Sequence, residues 1–314
     1  YGVVVYGHTY AYVDKNTFDY NRHAIASSGG RSVILAGYGP RQHGYKARLN
    51  LVRPGHTDQC YWGACWTETH QFDVHGSESN GWGVDYYEGW AGEYIEVADN
   101  SFLSIQGDAF NVRGQPSDGA VFSNNVLPLV CVRNHWGGAE ACSADTSDWV
   151  NYERPSTYDY PIPTDNRMRI RGNRHYRDAR SNIGVGDFDG DGVDDVFLAT
   201  GAAWYYSSGG RTEWRYLNKS RIRMDDLVLF DQDGDGKTDV LRERRGQWLV
   251  SKGGTSRWRR DYRFSGDYSN VPPNSGTSVT GDFTGDGNTD QLEFKWDGDR
   301  YFHVNGVKHS RYKM

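Results

Sequence analysis

Along residues 1–147, short stretches of alternating apolar and polar positions are broken every few residues by Gly, Asn, Asp or Ser. Strand-like runs occur at Gly2–Tyr6, Arg31–Ala36, Tyr45–Val52, Gln71–His75, Glu93–Val97, Ala109–Val112 and Val126–Val132. None sustains a period of three to four, and an alternation of two marks strands with one buried face. Seven or more short strands divided by turn residues predict a β-sandwich or barrel. Pro155, Pro161 and Pro163 then fall among Ser, Thr, Tyr and Asp, which predicts a linker over 148–166. It would divide a domain of 1–147 from one of 167–314.

The second domain is repetitive. Gly186-Asp187-Phe188-Asp189-Gly190-Asp191-Gly192 recurs as Phe230-Asp231-Gln232-Asp233-Gly234-Asp235-Gly236 and again as Gly281-Asp282-Phe283-Thr284-Gly285-Asp286-Gly287. The 44-residue offset of the first two copies also pairs Asp195 with Asp239, Trp204 with Trp248, Ser207 with Ser251, and Trp214 with Trp258. The third copy lies 51 residues beyond the second and ends before its final G-G-x-x-x-W. A strand near Arg167–Arg171 is placed to complete it, unless the N-terminal domain supports the array.

These loops suit a hard cation. Calcium takes six to eight oxygens, so carboxylates must converge from a tightly curled backbone. Positions 1, 3, 5 and 9 offer Asp187, Asp189, Asp191 and Asp195; then Asp231, Asp233, Asp235 and Asp239; then Asp282, Thr284, Asp286 and Asp290. Three calcium sites are expected, the third weakest because Thr284 replaces an acid. Gly192, Gly236 and Gly287 allow the sharp turn. An EF-hand would need Glu at position 12, where Leu198, Arg242 and Glu293 stand, and the residues after each loop read as strand.

The signature D-x-[DT]-G-D-G-x-x-D, a strand, then W-x-x-S-x-G-G-x-x-x-W resembles the FG-GAP or VCBS repeats of integrin α-chain propellers and many secreted bacterial proteins. The resemblance covers about 167–314 and implies four-stranded propeller-type units with calcium at a turn. Three units are too few to close a propeller of 4–8 blades. The repeat-locked Trp204, Trp214, Trp248 and Trp258 are expected to pack between strands or repeats.

Composition adds a compartment. Cys60 with Cys65 and Cys131 with Cys142 form two close pairs, read as local disulfides of a secreted, extracellular protein. Tyr1 without an initiator Met or apolar leader fits a processed secretory protein or a shortened chain equally. No apolar run approaches the roughly 20 residues of a membrane span. Net charge is −6, with 16 acids against 9 bases in residues 1–150, which argues against nucleic-acid binding.

Catalytic motifs are missing: no G-x-S-x-G, H-E-x-x-H or P-loop occurs. On one strand Asp73 and His75 share a face while His70 points away, so one metal cannot easily use both histidines, and His70 and His75 read as surface histidines. The segment from Cys60 to Tyr94 is aromatic and acidic, and Trp62, Trp66, Trp82, Tyr86 and Trp90 are candidate sugar-stacking residues. Glu68, Asp85, Glu88 and Glu93 could supply a glycosidase pair. The run into Cys131 and Ala36-Gly37-Tyr38…His43-Gly44-Tyr45 resemble, faintly, the direct hemolysins of vibrios, which are β-sandwich pore formers. The expectation is an all-β, calcium-stabilised protein that binds a cell-surface glycan or protein. A secreted hydrolase and a pore-forming toxin are the alternatives.

Overall fold

The computed structural model describes residues 2–5, 9–21, 23–28, 44–53, 59–61, 64–66, 70–75, 92–103, 108–113, 116, 118–127, 150–153, 168–175, 182–245, 247–260, 278–281, 290–294, 300–304 and 307–312. The chain forms two compact units, Tyr1–Arg177 and Asp178–Met314. Its described residues are strands, turns and three-residue 3-10 turns, so the all-β expectation holds.

The first unit winds as coils of three strands. The first coil is β1 (Val3–Val5), β2 (Tyr10–Asp14) and β3 (Thr17–Phe18). The second is β4 (Ile25–Ser28), β5 (Gly44–Arg48) and β6 (Leu51–Val52). A hairpin of β7 (Gln59–Tyr61) and β8 (Ala64–Trp66) precedes the third, β9 (His70–His75), β10 (Tyr94–Ala98) and β11 (Ser101–Phe102). The fourth is β12 (Asp108–Arg113), β13 (Gly119–Ser123) and β14 (Val126–Leu127). The fifth is β15 (Val150–Glu153), β16 (Met168–Arg171) and β17 (Arg174–His175). Corresponding strands stack into three five-stranded sheets, β1-β4-β9-β12-β15, β2-β5-β10-β13-β16 and β3-β6-β11-β14-β17. Every pairing within them is parallel.

This parallel three-sheet coil replaces the expected sandwich or barrel, which is built from antiparallel neighbours. Of the segments behind the hemolysin resemblance, 36–43 and 128–131 lie outside the described residues. Alternation reports one buried face and says nothing about the direction of the neighbouring strand. Inward rows of the first sheet are Val3, Ile25, Phe72 and Phe110, and Val5, Ser27, Val74 and Val112. Phe72 and Phe102 meet at 5.2 Å, and Phe110 stacks on Phe122 at 5.8 Å.

Between the second and third sheets every coil turns in two residues. The first is left-handed: Lys15, Leu49, Asp99, Asn124 and Gly172, with φ of 62°, 58°, 56°, 56° and 66°. The second is always asparagine: Asn16, Asn50, Asn100, Asn125 and Asn173. Asn100 Oδ1 accepts from Asn50 N and Nδ2, both at 3.0 Å, while Asn100 Nδ2 donates to Ala47 O at 2.9 Å and Asn125 Oδ1 at 3.1 Å. The pattern repeats from Asn16 to Asn50 and from Asn125 to Asn173. A left-handed non-glycine residue costs about 1–2 kcal/mol, which this continuous amide ladder offsets. The fifth coil draws residues 150–153 and 168–175 into the first unit, so the stretch read as a linker contains β15. The strand at Met168–Arg171 pairs with β13 instead of completing the third repeat.

The second unit holds three four-stranded antiparallel sheets. They are β18 (Ile183–Gly186), β19 (Asp195–Ala199), β20 (Ala203–Ser207) and β21 (Arg215–Lys219); then β22 (Val228–Phe230), β23 (Asp239–Arg244), β24 (Gln247–Ser251) and β25 (Arg259–Arg260). The third is β26 (Ser278–Gly281), β27 (Asp290–Phe294), β28 (Arg300–Val304) and β29 (Val307–Tyr312). The third repeat is therefore complete, and β22 runs beside both β18 and β26. Phe188, Phe197, Ala199 and Trp204 of the first repeat form one core with Leu227, Leu229 and Val240 of the second. Gly184 and Gly186 permit this approach: a Cβ on Gly184 would come within 2.5 Å of Leu229 Cδ1, and one on Gly186 within 2.6 Å of Thr238 Oγ1. Trp204 and Trp248 are buried, and Trp258 meets Trp204 edge-on at 5.7 Å. No helix among the described residues is long and apolar enough to cross a membrane.

Candidate functional site

Each described acidic loop joins the first two strands of its repeat. Asp187, at position 1, accepts from Gly190 N at 2.6 Å and Gly192 N at 2.7 Å; Asp231 accepts from Gly234 N and Gly236 N, both at 2.8 Å. The position-9 acid opens the second strand and ties the loop shut. Asp195 accepts from Phe188 N at 2.8 Å and from Gly209 N at 2.9 Å, and Asp239 accepts from Gln232 N at 3.2 Å and Gly253 N at 2.7 Å. Gly192 and Gly236 both have φ of 84°, and a Cβ on either would touch nothing. Their glycine is required by backbone conformation, not by space.

Ligand oxygens of Asp187, Asp189 and Asp195 lie within 4.8 Å of one another, as do those of Asp231, Asp233 and Asp239, so each triad can hold a metal ion. Asp189 Oδ1 and Asp233 Oδ1 are buried without a hydrogen-bond partner. A buried carboxylate oxygen with no donor is costly, and a cation at the centre of the triad would satisfy it. The sequence placed position 5 in the same set. In the structure Asp191 and Asp235 stand outside the triads, where their Oδ1 atoms accept from Val193 N at 2.8 Å and Lys237 N at 2.9 Å. Burial, then the charges of Asp233 and Asp231, push the Asp239 carboxyl up to about 6 against two backbone hydrogen bonds.

Sequence reasoning missed one participant. Lys252 Nζ forms an ion pair with Asp233 Oδ2. The signal was present, since position 252 corresponds to Ser208 under the 44-residue offset. Of the third loop, Asp282, Thr284 and Asp286 lie outside the described residues; Asp290 opens β27 opposite Gly281.

In the first unit, Trp62, Trp82, Tyr86 and Trp90 lie outside the described residues, as do Glu68, Asp85, Glu88, Cys131 and Cys142. Trp66 belongs to β8. Cys60 and Cys65 are direct register partners in the β7–β8 hairpin. Opposed antiparallel residues have Cα atoms about 4.5–5.5 Å apart, a separation that a disulfide spans. Asp73 pairs in register with Ala26 and Asn111 on the outward side of the first sheet, yet Asp73 and Asn111 are fully buried.

The outer side of the second sheet brings together residues from four coils. Tyr10 and Tyr12 lie 5.5 Å apart, and Lys46 Nζ sits 5.8 Å from the Tyr12 ring and 5.5 Å from the Tyr94 ring. Glu93 and Asp118, just before β10 and β13, are joined by Asp118 N donating to Glu93 O at 2.7 Å. Burial, then Asp118, raises the Glu93 carboxyl above its ordinary range. Burial, then Tyr12, Tyr94, Glu96 and Glu93, raises the Tyr10 hydroxyl. Tyr10 Oη and Glu93 Oε2 are buried without hydrogen-bond partners. Only Glu93 of this group was among the sequence candidates; the others come together through coil stacking.

Comparison with protein-family profiles, curated proteins and solved structures finds no match.

Proposed function

We propose that this is an extracellular, calcium-stabilised glycan-binding protein. The repeats bind calcium through the acidic positions 1, 3, 5 and 9 of their loops, and the coiled unit presents the ligand face. The observation that carries the glycan reading is the outer side of the second sheet. Tyr10, Tyr12 and Tyr94 border Lys46 and the Glu93–Asp118 pair, with a hydroxyl and a carboxylate oxygen unpartnered beside them. Aromatic rings pack on the apolar faces of sugars, while carboxylates and amines take the hydroxyls. Stacked coils give this face length, which suits an extended polymer. The FG-GAP-like repeats, three calcium sites and secretion form part of the same reading, and the opposed Cys60 and Cys65 support an oxidising compartment.

The test is a glycan array with calcium-loaded protein, followed by titration of any ligand found. Tyr12 is 71% exposed, so Tyr12→Ala leaves the fold intact and should weaken binding about threefold to tenfold. An empty array, or a ligand bound equally by Tyr12→Ala and Tyr94→Ala proteins, refutes the assignment.

A hydrolase reading has one observation in its favour, the raised carboxyl of Glu93, which is what a general acid needs. The other carboxylates expected from the sequence, Glu68, Asp85 and Glu88, lie outside the described residues, so the partner that hydrolysis would need is Asp118, on the adjacent coil. Polysaccharide turnover abolished by Glu93→Gln would favour hydrolysis over simple binding.

A further inference from the structure

Among the described residues, the first two metal loops are joined directly. Asp187, position 1 of the first loop, accepts at its side chain from its own loop and at its main-chain O from Thr238 N, at 2.5 Å. Thr238 is position 8 of the second loop and only 7% exposed, and the next residue is Asp239, the fully buried acid of the second triad. One position earlier, Lys237 lays its stem on the first loop, where a Cβ on Gly190 would meet Lys237 Cε at 2.9 Å. Residues 237–239 of the second loop therefore rest on 187–190 of the first. The counterpart of Thr238 in the first loop, Asp194, is exposed, so this support belongs to the junction and not to the loop motif.

That contact links the order of one loop to the order of the other. Each triad gathers three carboxylates whose ligand oxygens lie within 4.8 Å of one another, and without a cation their repulsion favours a looser loop. If the first loop loosens, Asp187 O withdraws from Thr238 N and a buried donor loses its partner. The cost falls on the segment that sets Asp239 in place. A cation at the first triad holds Asp187 in position, so the second triad is already ordered when its own ion arrives. The reverse holds equally, because a coupling free energy between two sites acts on both.

We propose that the first two repeats take up calcium cooperatively, each loop raising the other's affinity through the bond between Asp187 O and Thr238 N. This coupling, which presupposes the calcium reading, ties the two repeats into one unit. That unit orders over a narrower range of calcium than two independent loops of the same affinities would.

Calorimetric titration of the full chain with Asp282→Asn, which silences the third loop, tests this. Adding Asp231→Asn leaves the first site alone, and adding Asp187→Asn instead leaves the second alone. With both loops intact, the product of the two association constants should exceed the product of those single-site constants about fivefold or more. Thr238→Pro removes the N–H donor and keeps every acid, and in the same comparison it should bring the ratio near one. Should that variant not fold, as circular dichroism would show, the acid substitutions decide the matter alone. A ratio within about twofold of one overturns the coupling and leaves two independent calcium sites standing. So does an unchanged ratio in folded Thr238→Pro protein. A titration without heat removes the calcium reading and the coupling together.

Discussion

Replacing Asn100 by alanine tests the coiled fold at its most constrained point. Asn100 is fully buried in the middle of the ladder. Removing its amide takes the Oδ1 acceptor from Asn50 N, at 3.0 Å, and the Nδ2 donor from Ala47 O, at 2.9 Å. Two neighbours keep other partners: Asn50 Nδ2 still donates to Val13 O at 2.7 Å, and Asn125 Oδ1 still accepts from Asn100 N at 2.9 Å. Two buried backbone groups are left orphaned at about 1–3 kcal/mol each, a loss of about 2–6 kcal/mol. That is a large share of the roughly 5–15 kcal/mol that holds a domain together. Asn16, at the exposed end of the same ladder, leaves its partners within reach of water, and Asn16→Ala should cost about 1 kcal/mol or less. Urea unfolding of calcium-loaded protein, followed by far-ultraviolet circular dichroism, measures both. An Asn100→Ala protein within 0.5 kcal/mol of wild type, or equal losses at the two positions, would show that the ladder does not hold the coils.

Three further outcomes are expected. Asp239 titrates at about 6 in the native state against 3.8 for an ordinary aspartate, so the folded chain holds a proton that the unfolded chain has released. Its contribution is therefore full below about pH 4 and lost as pH rises through 6. The melting-temperature gain on adding calcium should grow from pH 5 to pH 7, and a pH-independent gain contradicts this. Lys252 already places a cation at the second loop, where the first repeat has Ser208, so the second loop should be the weaker of the two described sites. Lys252→Ser should tighten it roughly tenfold and Ser208→Lys weaken the first loop similarly, by titration in an Asp282→Asn background. Alkylation of unreduced, denatured protein followed by mass spectrometry should label none of the four cysteines, and labelled Cys60 or Cys65 would end the disulfide reading.

The acidic loops were legible because local chemistry dictates them. Position 1 curls the backbone onto its own carboxylate, and the glycine at position 6 serves conformation alone, so a contiguous motif carries the whole structure. Position 5 looks equivalent to the other acids in sequence; the folded loop adds that Asp191 and Asp235 each also accept from the backbone two residues on. The coiled unit was far less legible. Its only regular sequence mark is an asparagine after a left-handed residue, at 16, 50, 100, 125 and 173, and insertions of unequal length hide that period. Leu49 and Asn50 sat unnoticed inside a predicted strand, where they turn the chain between β5 and β6. Tyr10, Tyr94, Glu93 and Asp118 meet only because parallel coils stack in register.

Calcium binding by the acidic loops is measured by calorimetric titration of the ion into metal-free protein, paired with its melting curve. Binding is expected at the Asp187 and Asp231 loops, with a third site from Asp282. One site should be lost with Asp187→Asn and another with Asp231→Asn, and the melting temperature should rise markedly with calcium. A titration without heat, with a melting curve indifferent to calcium and chelator, would contradict calcium as the element that stabilises the repeats.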